Sequence, residues 1–561
     1  MTNGSMITRV KIVLLSISMT FVPLVKGQDR PNIVFILADD FGYMDMAAYA
    51  HRVTGVPTNQ MYYETPNLDR LVAEGTSFSQ AYANQLCSPT RASLLTGKYA
   101  SRLGFTTATP PLATYYNQNL PIPEGYAPND ALYHGDKIEI EQRWINGTTN
   151  TALAAGTAYD FGKDEISIAE ALEDYQSAFI GKWHVGGHGA RGYQPADQGF
   201  MPLAWYDAGG SKYFDWQDVW NNKSKERFPN MPQPAWEVGD AGQPSGEQYL
   251  TDDLTKQALV YLENRAQKKD QPFLLYFSHF AIHSPYQAKK EHLAHFENKP
   301  TKGWNGHNEP VYASMIKSLD ESVGKILDKL RETGLEENTL VIFMSDNGGI
   351  DRDVANNHIG TKNTPFVGGK ACLTEGGIRV PLVFRWKGKI PDNQWRNVPV
   401  DCTDLFPTIL DFAGYDLAKY YDELDIDGRS FKSLLDESKT NDETFSKTTH
   451  YWHYPFNVIY LNPFDGLPLT PHSAIREGDF KLIFDWYGRQ YLFDIANDPY
   501  EENNLALTDQ QRTDDLTRKL FTWLTENVDK RYWPRLNPDY QPQNEAREEE
   551  FVDLLETFNI H

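Results

Sequence analysis

Cysteine is scarce in this chain, with three residues in 561. That excludes a disulfide-rich scaffold and leaves each thiol to be explained by its own surroundings. Basic residues are outnumbered by acidic ones, 53 against 76, for a net charge of −23. Such a balance excludes nonspecific binding to nucleic acid, which needs a basic face. It also excludes an anionic membrane surface as the partner. Internal repeats and low-complexity blocks are missing, so a solenoid or array is excluded. Past the first 27 residues, no segment has the length and apolarity of a membrane span. What remains is an ordinary globular mixture, 40% hydrophobic and 23% charged. A large core can therefore form, and the length allows about two to four domains.

Export is the expectation at the N-terminus. Arg9 and Lys11 precede an apolar stretch from Ile12 to Leu24, and Val25-Lys26-Gly27 offers a small residue at a cut. The stretch is shorter than the ~20 residues a membrane anchor needs. Residues 1–27 are read as a signal peptide, and the mature protein as periplasmic or secreted.

From residue 28 to 440 the pattern alternates. Asn32 to Ala38 is a continuous apolar run, as in a strand buried on both faces. Thr65 to Gly75 has a capping Thr, Pro66 in the first turn and a terminal Gly, the marks of a helix. Helices are also predicted at Ile166–Tyr175, Asp252–Arg265 and Tyr312–Thr333, and strands at Ser177–Ile180, Phe273–Phe277, Thr339–Met344 and Val380–Phe384. This alternation predicts an α/β domain with a large mixed, mostly parallel sheet sandwiched by helices. Residues 441–561 read as a smaller α+β domain. His472–Asp485 and Arg489–Asp494 suit antiparallel strands around a turn near Tyr487-Gly488, a helix covers Thr508–Val528, and an acidic tail follows.

Polar groups follow the predicted strands directly: Asp39-Asp40, Lys182-Trp183-His184, His279 with His283, and Asp346-Asn347. Sites in open parallel sheets lie outside the carboxyl ends of strands, so these groups can meet in one cleft. Asp39, Asp40, Asp346 and Asn347 offer oxygens alone, which suits a hard cation such as Ca²⁺, or Mg²⁺ with waters, and disfavours zinc. A single Asp at a strand end is more simply a cap or turn former; two pairs at two strand ends argue for an ion. Cys87-Ser88-Pro89-Thr90-Arg91 opens a helix that Gly97 closes. Cys87 then sits where backbone N–H groups favour an anion. A buried structural cysteine or an ordinary thiolate would not require the whole C-x-P-x-R-x-x-x-x-T-G pattern.

CSPTRASLLTG resembles the signature of the type I, formylglycine-dependent sulfatases of the alkaline phosphatase superfamily. The ADD, GKWHVG, HSP, DNGG and GGKACLTEGGIRVP segments fall in that family's order, and DIANDPYEENNLA is similar to its C-terminal region. The resemblance implies that a maturing enzyme oxidises Cys87 to 3-oxoalanine (formylglycine), whose hydrate is the nucleophile. It implies one Ca²⁺ held by Asp39, Asp40, Asp346, Asn347 and an oxygen at residue 87. Arg91 would steady the formylglycine, Lys182 and Lys370 would bind sulfate oxygens, His184 would act as base and His283 as acid. His279 is read as a core histidine, since His283 is the one that precedes x-Pro.

A sulfate ester needs these parts: fixed positive groups for the sulfuryl oxygens, a nucleophile, and an acid for the leaving oxygen. Two aromatic segments, His450–Pro455 and Lys212–Trp216, suit either sugar stacking or interdomain packing. The expected substrate is a sulfated carbohydrate, by analogy an algal polysaccharide of ulvan or carrageenan type and next a glycosaminoglycan. A phosphodiesterase or phosphonate hydrolase of the same superfamily, or a non-enzymatic binder of sulfated glycans, are the alternatives.

Overall fold

The computed structural model describes residues 30–108, 165–185, 194–223, 248–352, 360–437 and 448–536. Single gaps fall at 457, 467 and 487, and a few isolated strand pairs and Phe445 lie outside these spans. The expected signal peptide and the acidic tail lie outside the described residues. No helix among the described residues is long and apolar enough to cross a membrane.

Ten strands make the main sheet: β1 (Asn32–Ala38), β2 (Thr76–Tyr82), β3 (Gln176–Lys182), β4 (Met201–Tyr206), β5 (Trp236–Glu237), β6 (Phe273–Ser278), β7 (Thr339–Ser345), β8 (Arg379–Arg385), β9 (Gln394–Arg396) and β10 (Val400–Asp401). Their order is β9-β2-β8-β7-β1-β6-β3-β4-β5, with β10 also on β2. β7, β1, β6, β3 and β4 are mutually parallel, while β8 runs antiparallel to both β7 and β2. The sequence identifies the β8 strand but carries no mark of its direction.

Strand alternation fills both faces of this sheet. Val34, Ile36 and Ala38 join one buried cluster, and Ile33, Phe35 and Leu37 the other. Helices α3 (Leu250–Ala266) and α4 (Pro310–Glu332) cover the first face, with α1 (Pro66–Ala73) beside them. Helices α2 (Cys87–Thr96) and α5 (Leu405–Phe412) cover the second. The helix expected at Ile166–Tyr175 is a single turn, Ile168–Ala171, because Leu172 leaves helical geometry and Gln176 already belongs to β3.

A second sheet has the order β11 (Thr449–Tyr454), β12 (His472–Glu477), β13 (Phe480–Asp485) and β14 (Arg489–Asp494), all antiparallel. α6 (Gln510–Asn527) packs on it and closes its own core. The run His472–Asp485 is thus two strands, split where Gly478 takes a positive φ of 58°. Both aromatic segments resolve as packing. His450, Trp452, His453 and Tyr454 are buried in β11, and Trp452 donates to the Ala83 carbonyl while packing on Tyr82, so it joins the two sheets. Tyr213 and Trp216 are buried under α3.

Candidate active site

The carboxyl ends of β1, β3, β6 and β7 lie side by side, and the polar residues that follow them converge there. Asp39 and Asp40 leave β1, Lys182 ends β3, and Asp346-Asn347 leave β7. Backbone bonds fix the ends to one another: Asp346 N–H donates to the Ala38 carbonyl at 3.1 Å, and Asp39 N–H to the Ala281 carbonyl at 2.9 Å. Asp40 N–H donates to Asp346 Oδ1 at 3.1 Å. Gly181 lies at a φ of 103°, and a Cβ there would stand 1.7 Å from the Ser278 carbonyl oxygen. Only glycine permits β3 to approach β6 so closely just before Lys182.

Each of the three aspartates carries its own cation. Lys182 Nζ is 2.7 Å from Asp39 Oδ2, Lys370 Nζ is 2.6 Å from Asp40 Oδ1, and Arg91 Nη2 is 2.7 Å from Asp346 Oδ2. All three carboxylates are fully buried. Arg91 also donates to the Lys182 carbonyl at 2.8 Å and to the Ser278 hydroxyl. It projects from α2 one turn after the helix's first residue, Cys87, which is 1% exposed. Cys87 Sγ lies 3.2 Å from His184 Nδ1. Burial works against the Arg91 and Lys370 charges, and the neighbouring carboxylates, Asp346 for Arg91 and Asp40 for Lys370, outweigh it.

Burial would raise the Asp40 carboxyl, but Lys370 and His283 hold it below the usual carboxylate range. Burial, then Asp346, pushes Asp39 well above that range. His283 Nδ1 donates to the Ser284 carbonyl at 2.7 Å, which leaves the Nε2 lone pair facing the centre, 3.7 Å from Asp40 Oδ2. Burial and Lys370 push this ring well below the ordinary histidine range. His279 points elsewhere, buried against Phe277 with its Nε2 3.4 Å from Ser322 Oγ. The three cysteines are free, and Cys372 accepts a bond from Arg352.

The donor set fits a hard cation. Asp39 Oδ1 and Asn347 Oδ1 are buried oxygens with no hydrogen-bond partner, an expensive arrangement unless something positive meets them. Asp39, Asp40 and His283 each bring one ligand atom within 4.8 Å of the others. Asp346 stands beside that trio with its Oδ2 bonded to Arg91 and its Oδ1 accepting from the Asp40 N–H.

Three positioning features escape the sequence. Gly209 and Gly210, after β4, lie against the histidines: a Cβ on Gly209 would be 2.7 Å from His184 Cε1 and Nε2, and one on Gly210 would be 3.2 Å from His283 Nδ1. The Gly-Gly doublet in DAGG was the available signal. Ser278, which accepts from Arg91, carried none. The glycines of the Gly348-Gly349 and Gly368–Gly377 segments also interleave. A Cβ on Gly348 would lie 1.9 Å from the Gly376 carbonyl oxygen, and Lys370 N–H donates to the Gly349 carbonyl. This fixes Lys370 beside Asp346-Asn347.

Comparison with known proteins follows the geometry. The Sulfatase family profile matches residues 31–129 and 146–415, and the profile of the N-sulphoglucosamine sulphohydrolase C-terminal region matches 369–530. A sulfatase of Formosa agariphila is 29% identical over 545 residues, covering 89% of this chain and 90% of that one. Human N-acetylgalactosamine-6-sulfatase is 30% identical over 510 residues, covering 87% and 84%. The solved structure of Ps i-CgsB in complex with k-i-k-neocarrahexaose superposes with a TM-score of 0.67 at 25% identity, covering 94% of this chain and 99% of that one.

Proposed function

The chain belongs to the sulfatase family and is a sulfuric ester hydrolase, and from that premise we propose that it is an exported enzyme that desulfates a carrageenan-type algal carbohydrate, using a formylglycine made from Cys87 and one bound Ca²⁺. The observation that carries the reading is the placement of Cys87 at the head of α2, 3.2 Å from His184 and beside three buried aspartates that each hold a cation. A sulfated carbohydrate is what the human relative's name and the carrageenan hexaose bound to Ps i-CgsB favour. The glycosaminoglycan alternative rests on the N-acetylgalactosamine-6-sulfatase likeness. Export rests on Arg9, Lys11 and the apolar run Ile12–Leu24, and a maturing enzyme is the partner that must act on Cys87.

Asp39, Asp40, Asp346 and Asn347 would hold the calcium, which would draw electron density from the sulfuryl oxygens. An aldehyde at residue 87, once hydrated, would offer the attacking oxygen. The remaining work belongs to the side chains. Arg91 clamps Asp346 and the Lys182 carbonyl, so the head of α2 stays registered on β3 and β7. Lys182 and Lys370 pair with Asp39 and Asp40, and with a metal on those carboxylates their ammonium groups would be available to the sulfate oxygens. His184 takes a proton from the side chain of residue 87. His283 gives one from Nε2 to the leaving alcohol. Burial and then Lys370 push His283 well below the ordinary histidine range; the charge of a bound sulfate ester would offset that push and favour the protonated ring.

The test has two parts. Mass spectrometry of the Cys87 peptide, with hydrazide trapping, is expected to find an aldehyde, and sulfate release from defined carrageenan and glycosaminoglycan oligosaccharides is expected to be greatest for the former. An unmodified thiol in fully active enzyme would overturn the nucleophile, and exclusive action on glycosaminoglycans would overturn the substrate.

A further inference from the structure

At the far end of the main sheet from the site lies a cleft of about 850 Å³. Arg30 precedes β1, Glu337 and Asn338 precede β7, and Trp386 follows β8, so the cleft sits where the parallel strands begin. The seven-residue β1 puts about 23 Å of sheet between it and Asp39. No single sugar unit spans that distance.

The lining inverts the charge of the protein. Four of its residues are basic, Arg30, Lys269, Lys389 and Lys432, against one acid, Glu337, in a chain with 23 excess negative charges. Glu337 is already neutralised by Lys387 at 2.6 Å. Arg30 pairs with Asp174, and Lys432 pairs with Asp411 at 3.0 Å. Lys269 and Lys389 are exposed and have no carboxylate partner among the described residues. Between the cations stands an aromatic wall: Trp386 and Phe412 meet edge to face at 6.1 Å, and Lys432 Nζ lies 5.3 Å from the Phe412 ring centre. Half-buried aromatic faces suit the apolar faces of sugar rings, and free ammonium groups suit sulfate.

We infer that this cleft is a second, non-catalytic binding site for a sulfated polysaccharide chain, an anchor that holds the polymer while another stretch of it reaches the catalytic end. The inference rests on the sulfated-carbohydrate reading for the class of ligand, and its test is separable from that reading. An anchor raises the local concentration of polymer and does nothing for a small ester.

The test uses full-length protein with Cys87→Ala, so that binding is read without turnover, in affinity electrophoresis through gels containing ι-carrageenan or agarose. The unsubstituted anchor is expected to be retarded by ι-carrageenan alone. Lys269→Glu/Lys389→Glu and, without any charge change, Trp386→Ala should each weaken the retardation at least fivefold. Lys302→Glu/Lys325→Glu, two exposed lysines elsewhere, should leave it unchanged. In enzyme with Cys87 intact, the anchor variants should lose polymer desulfation at low polymer concentration and keep hydrolysis of 4-methylumbelliferyl sulfate. Equal retardation of parent and anchor variants, equal weakening by the control pair, or no retardation of the parent would each overturn the anchor. Retardation that depends on Lys269, Lys389 and Trp386, with no sulfate released from any polymer, would uphold the anchor and reject the carrageenan substrate.

Discussion

One methyl group tests how the histidines are held. On Gly209 its carbon would stand 2.7 Å from two atoms of the His184 ring, so the ring must move. A displacement near 1 Å in a catalytic group costs about 10²-fold. Gly209→Ala is therefore expected to lower kcat by about 10–100-fold, with KM and melting temperature little changed. Gly210→Ala, whose methyl would meet His283 at 3.2 Å, should cost less. Kinetics on a small sulfate ester separate the two, and a silent Gly209→Ala would mean that the ring has room to retreat. A second expectation concerns Asp39 Oδ1 and Asn347 Oδ1, buried and unmatched. Chelation by EGTA should remove activity and lower the melting temperature, with Ca²⁺ restoring both. Insensitivity of both readouts to exhaustive chelation would reject the ion seat. At this scale the sequence was informative where chemistry is written in residue type. Asp39, Asp40, Lys182, His184, Asp346 and Lys370 could all be read as strand-end polar groups or motif members, and the fold brings them together. Gly209, Gly210 and Ser278 could not, because their contribution is the absence of a side chain or a hydroxyl that reports on Arg91.

Between elements, a fully buried ion cluster joins the two sheets. Lys481 on β13 lies 2.7 Å from both Glu375 and Glu501, while Arg379 and Tyr82 bond the other Glu375 oxygen. Breaking a buried pair by removing one partner costs about 3–5 kcal/mol, whereas replacing the whole set can be neutral. Lys481→Met should lower the first calorimetric unfolding transition, and adding Glu375→Gln and Glu501→Gln should recover most of the loss. Failure of the triple variant to recover would show that packing, not stranded charge, sets the cost. The same sheet holds His453. Its Nε2 donates to the Tyr532 carbonyl, and its Nδ1 faces Ser473 Oγ, which also accepts from Trp486. Burial lowers this ring to about 4, against about 6.5 when unfolded. As pH falls, the unfolded chain takes the proton first, so this residue's stabilising contribution is full above ~6.5 and lost towards 4. The stability gap between the parent and His453→Asn, read by urea midpoints, should narrow from pH 7 to pH 4.5. A constant gap would mean that the ring is solvated. The elements themselves were legible where apolar periodicity was long: β1, β7, α1 and α4 fall within two residues of expectation. β11 was open in kind, since its His, Trp and Tyr read equally as a sugar platform or as interdomain packing, and burial assigns them to packing.

Across the whole molecule, 23 excess negative charges surround a charge-balanced site, which the proposed Ca²⁺ would make positive, and a cleft lined mainly by basic residues. A sulfated polymer meets the global repulsion first, over a Debye length of about 10 Å at 0.1 M salt. From very low ionic strength, kcat/KM on a polymer should rise with added NaCl to about 0.15 M before local attraction is screened in turn. A steady fall from the lowest salt would mean that the positive regions govern encounter at every distance. The order of the central strands and the antiparallel course of β8 had no written mark in the sequence, because pairing partners are chosen by helix packing across hundreds of residues. The interleaved backbone at Gly348 and Gly376 sets a final constraint. Beside Lys370 and Asp346-Asn347, main chain is laid on main chain, with no volume to exchange. Any lineage adapting this enzyme to a different ester must vary other segments, and a saturation scan of the gene should show these glycines as a gap in tolerated change.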